Sequence, residues 1–263
     1  MSALLKAAWR YRGFIGSSVA NEFKSKLSRS RFGTAWIVLQ PLAHVLIFAT
    51  ILSNVLAARL AGVDNKYAYA VYLISGTLCW SLFAEIIQRC TTVFIDNGSM
   101  LKKVQFPRIA LPAIVVGSAA VTNLALLAVI LLILPFLGII PSFAFLWLPV
   151  LMVLTIALAA GIGLLLGTLN VFARDIGQVV AVVLQFWFWV TPIVYPITIV
   201  PEAFRATLNI NPVVPLVVSY QNVILYGKTP EPQILWVGGV ALVFMLAALF
   251  LFRRASSEMV DVL

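Results

Sequence analysis

Long uncharged blocks alternate with short charged breaks along this chain. Residues 32–58 hold no Asp, Glu, Lys or Arg, and residues 109–173 hold none either. A spanning helix needs about 20 apolar residues to cross a ~30 Å hydrocarbon core, so the first block predicts a helix near 34–57. At ~1.5 Å per residue the second block is too long for a single crossing. It predicts two helices, near 111–135 and 145–170, turning at the Pro135, Gly138 and Pro141 cluster. Another span is expected near 69–92; it carries Glu85 and Arg89 four apart, in the favourable order for an in-helix pair. Further spans are expected near 178–197 and 233–252. Between these two, residues 198–230 are half-apolar, rich in Pro and Asn, and broken by Glu202 and Arg205. They read as short re-entrant helices on one membrane face, tolerated at depth only where protein covers them.

Ahead of the spans, residues 1–31 read as an amphipathic interface helix. Leu4, Ala8, Tyr11 and Ile15 follow helical spacing, while Lys6, Arg10 and Ser17 lie on another side. Trp9 and Tyr11 suit the headgroup boundary, and the cations suit anionic lipid. This segment is either a plain orientation signal or a lever that also carries part of a docking surface. No cleavable leader is expected, because no short apolar region with a cleavage site opens the chain. The fold class that results is all-α integral membrane, with six transmembrane helices.

Composition supports that class. The chain is 62% apolar and 10% charged, with mean hydropathy +1.06, whereas soluble domains run to roughly 25% charged residues. Six spans place both termini on one side. Lys6, Arg10, Arg12, Lys24, Lys26, Arg29, Arg31, Arg89, Lys102, Lys103, Arg108, Arg174, Arg253 and Arg254 fall there. Only Arg59, Lys66, Arg205 and Lys228 fall opposite, so the positive-inside rule makes the first side cytoplasmic. The net charge of +9 is thus a topology signal and not a nucleic-acid footprint.

The absent motifs narrow function further. No P-loop, H-E-x-x-H, G-x-S-x-G or Cys/His cluster occurs, so no catalytic residue, metal site or nucleotide-binding loop is expected. Deep acids are nearly missing, with Glu85 the exception, which disfavours ion-coupled pumping. His44 reads as an interior hydrogen-bonder. Cys79 and Cys90 lie about 16 Å apart along one helix, beyond disulfide reach.

Two features remain. Arg174 and Asp175 form an isolated charged break between apolar blocks, either a solvated turn or a contact with a cytoplasmic partner. The run "QFWFWVTP" at 185–192 places Phe186, Trp187 and Trp189 in the fifth span, with Tyr72, Trp80 and Phe83 in the second and Trp36 and Phe48 in the first. These rings form either an interfacial belt with packing, or a channel whose faces slide along sugar rings without gripping them. Gly163 and Gly167 form a G-x-x-x-G pair that serves either intrachain packing or a dimer.

Four stretches carry a family resemblance: "SRSRFGTAWIVLQPL", "FPRIALP", "LGTLNVFARDIGQVV" and "INPVVPLVVSYQNVILYG". In order, and in register with the spans, they resemble the permease subunit of bacterial polysaccharide ABC exporters of the ABC type-2 class. Among these the O-antigen (lipopolysaccharide) export permease is the nearest in look, with capsule and teichoic-acid permeases next. The resemblance implies one transmembrane domain over 1–263 in the bacterial inner membrane. It implies a homodimer with two separate ATP-binding ABC subunits, which hold the ATP and Mg, and an undecaprenyl-pyrophosphate-linked polysaccharide as cargo. The N-terminal helix then looks like a cytoplasmic gate helix. Asp96, Lys102, Lys103 and Arg108 look like the main segment coupling to the ATPase, and Arg174 and Asp175 like a second contact. Arg10, Arg12 and Arg29 become candidate contacts for the carrier pyrophosphate. Rival expectations are a permease for a small drug or lipid, a membrane glycosyltransferase and a scaffold. The glycosyltransferase would need acids at the membrane edge, and no such cluster is visible.

Overall fold

The computed structural model describes residues 9–28, 39, 43, 65, 67–103, 107–208, 210–256 and 258–259. The expected first span, 34–57, lies outside the described residues except at Leu39 and Ala43. Trp36, His44, Phe48 and Arg29 lie outside them as well. The described helices are α1 (Arg12–Ser28), α2 (Ala68–Asp96), α3 (Gly98–Lys103), α4 (Ala110–Ile133), α5 (Leu148–Phe172), α6 (Ile176–Val190), α7 (Glu202–Leu208), α8 (Val213–Ile224) and α9 (Ile234–Ala255). No strand occurs among the described residues.

Four segments are long and apolar enough to cross a membrane: Ala68–Asp96, Ala110–Leu137, Phe143–Phe172 and Ile234–Ala255. They correspond to the expected second, third, fourth and sixth spans. The turn between α4 and α5 falls at the expected Pro/Gly cluster. A 3-10 turn over Leu134–Leu137 ends at Gly138, whose φ of 78° is left-handed and suits a residue without Cβ. Ser142 then caps the 3-10 turn leading into α5 by accepting from the Ala144 amide at 3.2 Å.

The expected fifth span, 178–197, differs. Its helix is α6, which stops at Val190. Thr191 precedes Pro192 and is extended (φ −93°, ψ 135°), as the clash with a following proline ring favours. Fifteen residues at ~1.5 Å each reach only about 22 Å, short of a ~30 Å core. The irregular backbone that follows is covered by protein: Thr191 and Ile193 are fully buried. Tyr69 donates to the Val194 carbonyl at 2.6 Å, and Tyr72 donates to those of Pro192 (3.0 Å) and Tyr195 (2.9 Å). Gln221 Nε2 of α8 also donates to Pro192, at 3.1 Å. Polar side chains thus satisfy carbonyls that a helix would otherwise have bonded internally.

α2 is the central helix, packed against α4, α5, α6 and α8. Val71, Leu78, Cys79, Phe83, Ile86, Cys90 and Phe94 have no exposed surface at all, so α2 meets protein rather than lipid on most of its circumference. α5 lies between α2 and α9. Its glycines make both seams possible. A Cβ on Gly163 would sit 2.8 Å from Cys90 Cβ, and one on Gly167 would overlap the Cys90 carbonyl oxygen. On another face, a Cβ on Gly161 would sit 2.8 Å from the Met245 amide nitrogen of α9. The G-x-x-x-G pair is therefore used for packing within the chain. Phe94 of α2 stacks on Phe252 of α9, with centroids 5.7 Å apart.

Candidate functional site

The alternation of helix directions gathers most charged candidates at one end of the bundle. Asp96 closes α2, Lys102 and Lys103 end the short α3, Arg108 precedes α4, and Arg174 and Asp175 form the turn from α5 to α6. Lys102, Arg174 and Asp175 are exposed, and Arg108 is half-buried. The α5–α6 turn is held rigidly. Asn170 donates from Nδ2 to the Thr91 carbonyl of α2 at 2.8 Å and accepts at Oδ1 from the Gly177 amide at 2.9 Å. One buried side chain thus fixes the turn to the central helix and presents the two charges outward.

At the same end, Arg89 organises a cluster larger than the expected in-helix pair. Its Nη1 lies 3.1 Å from Glu85 Oε1, as the spacing predicts. Its Nη2 lies 2.7 Å from Glu22 Oε1 of α1. The α1 face that meets the bundle is therefore Ile15, Ser18, Val19, Glu22 and Phe23, while Tyr11 is exposed. Val19 packs close to Gly117 of α4, where an added Cβ would sit 2.9 Å from it. The charge on Arg89, together with the close approach that Gly117 allows, selects a mixed face over a purely apolar one. Between α1, α2 and α4 lies a cleft of about 360 Å³, bordered by Phe14, Glu22, Arg89, Asp96, Met100 and Leu111 among others. Arg12 donates to the Trp9 carbonyl at 3.2 Å and sits 5.1 Å above that ring; Arg10 is exposed nearby.

The aromatic candidates separate into two groups. Tyr72, Trp80 and Phe83 are buried within the chain. Phe83 meets Trp187 edge-on at 5.3 Å, and Trp80 meets Phe188 at 5.7 Å, so these rings form the α2–α6 seam. Trp187 Nε1 donates to Asn211 Oδ1 at 3.0 Å, and Asn211 Nδ2 donates to Thr191 Oγ1 at 3.2 Å, tying α6 to the segment before α8. Phe186 and Trp189, by contrast, are 69% and 54% exposed, and with Val179, Val182, Val183 and Val190 they form an open apolar face on α6. Sequence reasoning missed Glu22, Asn170, Asn211 and Gln221. The signal was available: each is a polar residue within or beside an apolar segment, where an unpaired polar group is costly. Among the described residues no three His, Cys, Asp or Glu side chains gather as metal ligands.

This architecture is that of an integral membrane protein built of helices, with its charge concentrated at one end. A family model described as "ABC-2 type transporter" matches residues 15–225, and the chain belongs to that family. It is similar to the O-antigen export system permease protein RfbA of Myxococcus xanthus, at 27% identity covering 99% of each chain. A protein of the same name from Klebsiella pneumoniae is 28% identical, covering 87% of each chain. The polysialic acid transport protein KpsM of Escherichia coli is 22% identical, covering 90% of this chain and 92% of its own.

Proposed function

We propose that this chain is the membrane-spanning permease subunit of an ATP-driven exporter that moves lipid-linked O-antigen polysaccharide from cytoplasm to periplasm. The observation that carries this reading is the similarity, over 87–99% of the chain, to relatives named as O-antigen export permeases, in Myxococcus and in Klebsiella. In this reading the chain has six spans with both termini cytoplasmic, and 198–230 closes the periplasmic side. Two copies pair in the inner membrane and work with two separate ATPase subunits, on cargo linked to undecaprenyl pyrophosphate. The similarity to a polysialic acid transport protein favours capsule export as the second reading.

In this mechanism, nucleotide turnover in the ATPase pushes on the charged end, at Asp96–Arg108 and at the Arg174–Asp175 turn. The rigid Asn170 staple supports that role, because a force on the turn passes directly to α2. The exposed face of α6 then lines the glycan path, with Phe186 and Trp189 as the sliding rings, and Arg10, Arg12 and Arg29 are candidate contacts for the carrier pyrophosphate.

Loss of the gene is expected to leave finished, lipid-linked glycan in the cytoplasm, and the wild-type chain with its ATPase to return it to the surface. A surface glycan unchanged by the loss would sink the proposal, and loss of capsule alone would select the second reading. Phe186→Ala with Trp189→Ala is expected to lower export at least ~10-fold, about 1.4 kcal/mol in barrier, with insertion intact. Reversing both charges at Arg174 and Asp175 is expected to uncouple ATP turnover from export. Normal export in either variant would remove that element of the mechanism.

A further inference from the structure

The hairpin joining α4 to α5 presents apolar side chains where a solvated turn would present polar ones. Phe136, Ile140, Phe143 and Leu146 are 87%, 85%, 93% and 76% exposed. Large apolar groups exposed together mark a surface that something other than water covers. Part of the backbone there is already paired within the protein. The Gly138 amide bonds to the Pro135 carbonyl and the Ile139 amide to that of Leu134, each at 3.1 Å. Asn65 donates to the Leu137 carbonyl at 2.9 Å, and Ser142 receives the Ala144 and Phe145 amides at 3.2 and 3.0 Å. Such internal pairing is what a non-helical segment needs in order to leave water.

Depth identifies the occupant. Arg108 and Arg174 mark the charged end of the pair of spans, which run through 28 and 30 residues to the tip. At ~1.5 Å per residue and a typical ~20° tilt, that is about 39–42 Å. A bilayer with its headgroup layers is ~40–45 Å thick, so the tip arrives inside the far interfacial layer and does not project beyond it. Neighbouring residues mark the same level. Gly227 approaches Ser142, and next to it Lys228 sits 5.7 Å from the Tyr226 ring, a cation and an aromatic of the kind found at headgroup depth. The exposed apolar surface also continues without a break down α4 through Leu132 and Leu124, and down α5 through Val150 and Val153.

We infer that residues 134–147 are a lipid-inserted anchor: Phe136, Ile140, Phe143 and Leu146 enter the acyl-chain boundary of the leaflet opposite Arg174 and hold the α4–α5 pair at a set depth. The occupant is phospholipid, and neither a second copy of this chain nor a soluble partner. This inference is independent of the exported substrate, and only the naming of that leaflet as the outer one rests on the proposed orientation.

Nitroxide labels at Ile140→Cys and Phe143→Cys test it, in the full chain within phosphatidylethanolamine–phosphatidylglycerol vesicles. Cys79 and Cys90 are buried, so labelling of the unsubstituted chain gives the background. Collision with oxygen is expected to exceed collision with a water-soluble nickel complex at both positions, and the ratio to invert at Lys102→Cys, an exposed site at the charged end. A tip more accessible to nickel than to oxygen stands in water and overturns the anchor. Low collision with both reagents means that protein covers the tip, and overturns it equally. Phe143→Trp supplies a label-free check: brominated acyl chains should quench more emission than in the unsubstituted chain, and no added quenching also overturns the inference.

Discussion

Valine in place of Gly167 is expected to lower the amount of correctly folded chain in the membrane several-fold. The first added carbon already overlaps the carbonyl oxygen of Cys90, and Thr91 backbone lies 3.5 Å away. Both belong to the central helix, so no flexible side chain can yield. Relief requires α5 to move off α2, which opens the seam that also contains Gly163. Overpacking in a tight core costs ~1–3 kcal/mol, occasionally more, and domains are stable by only ~5–15 kcal/mol. Two branched carbons against fixed backbone belong at the upper end of that cost. Gly239→Ala is the control: nothing lies within 4 Å of its added Cβ, and exchanging glycine for alanine in a helix interior gains up to ~1 kcal/mol. Detergent-extracted yield and monodispersity by size exclusion report both variants. A Gly167→Val chain that matches wild type in both would show that the α2–α5 seam is not as close as described.

Reversing the charge at Arg89 is expected to undock α1 from the bundle. Glu22 and Glu85 share this guanidinium, and their side chains are 27% and 28% exposed against 30% for Arg89. The cluster lies between two regimes. Exposed ion pairs contribute ~0–1 kcal/mol, whereas removing one partner of a buried pair costs ~3–5 kcal/mol. About 2 kcal/mol follows for Arg89→Ala, on the order of thirtyfold in the docking equilibrium of α1. Arg89→Glu exceeds this, because three carboxylates then meet. Limited proteolysis at Arg12 and Lys24 reads out undocking directly, and pairing Arg89→Glu with Glu22→Arg should recover part of the protection. Equal cleavage rates in wild type and Arg89→Glu would show that the pair does not hold α1.

How much of this was visible in the chain follows from the scale of each cause. The spans at Ala68–Asp96, Ala110–Leu137, Phe143–Phe172 and Ile234–Ala255 were legible because hydropathy acts over twenty residues at a time. The Pro135–Gly138–Pro141 turn was legible because its residues act on their own backbone. The end of α6 was misplaced at 197 because the apolar run continues past Val190. Pro192 stops the helix there, and the carbonyls exposed beyond Val190 are satisfied by Tyr69, Tyr72 and Gln221, the first two more than a hundred residues away in the chain. Hydropathy carries no trace of that satisfaction.

The candidate site divides in the same way. The sequence by itself determined that the protein lives in a bilayer, that a turn falls at Pro135–Gly138–Pro141, which end holds the cations, and that Glu85 and Arg89 can pair, since each depends on composition or on local spacing. Only the tertiary structure decided that Arg89 also reaches Glu22, that Asn170 fixes the Arg174–Asp175 turn to α2, and that Gly163 and Gly167 face Cys90. It alone separated the buried rings Tyr72, Trp80 and Phe83 from the exposed Phe186 and Trp189. In a chain this apolar, nearly every helix face could meet lipid or protein equally well. The choice is made by close steric fit and by the need to pair each buried polar group, and both are properties of neighbours in space.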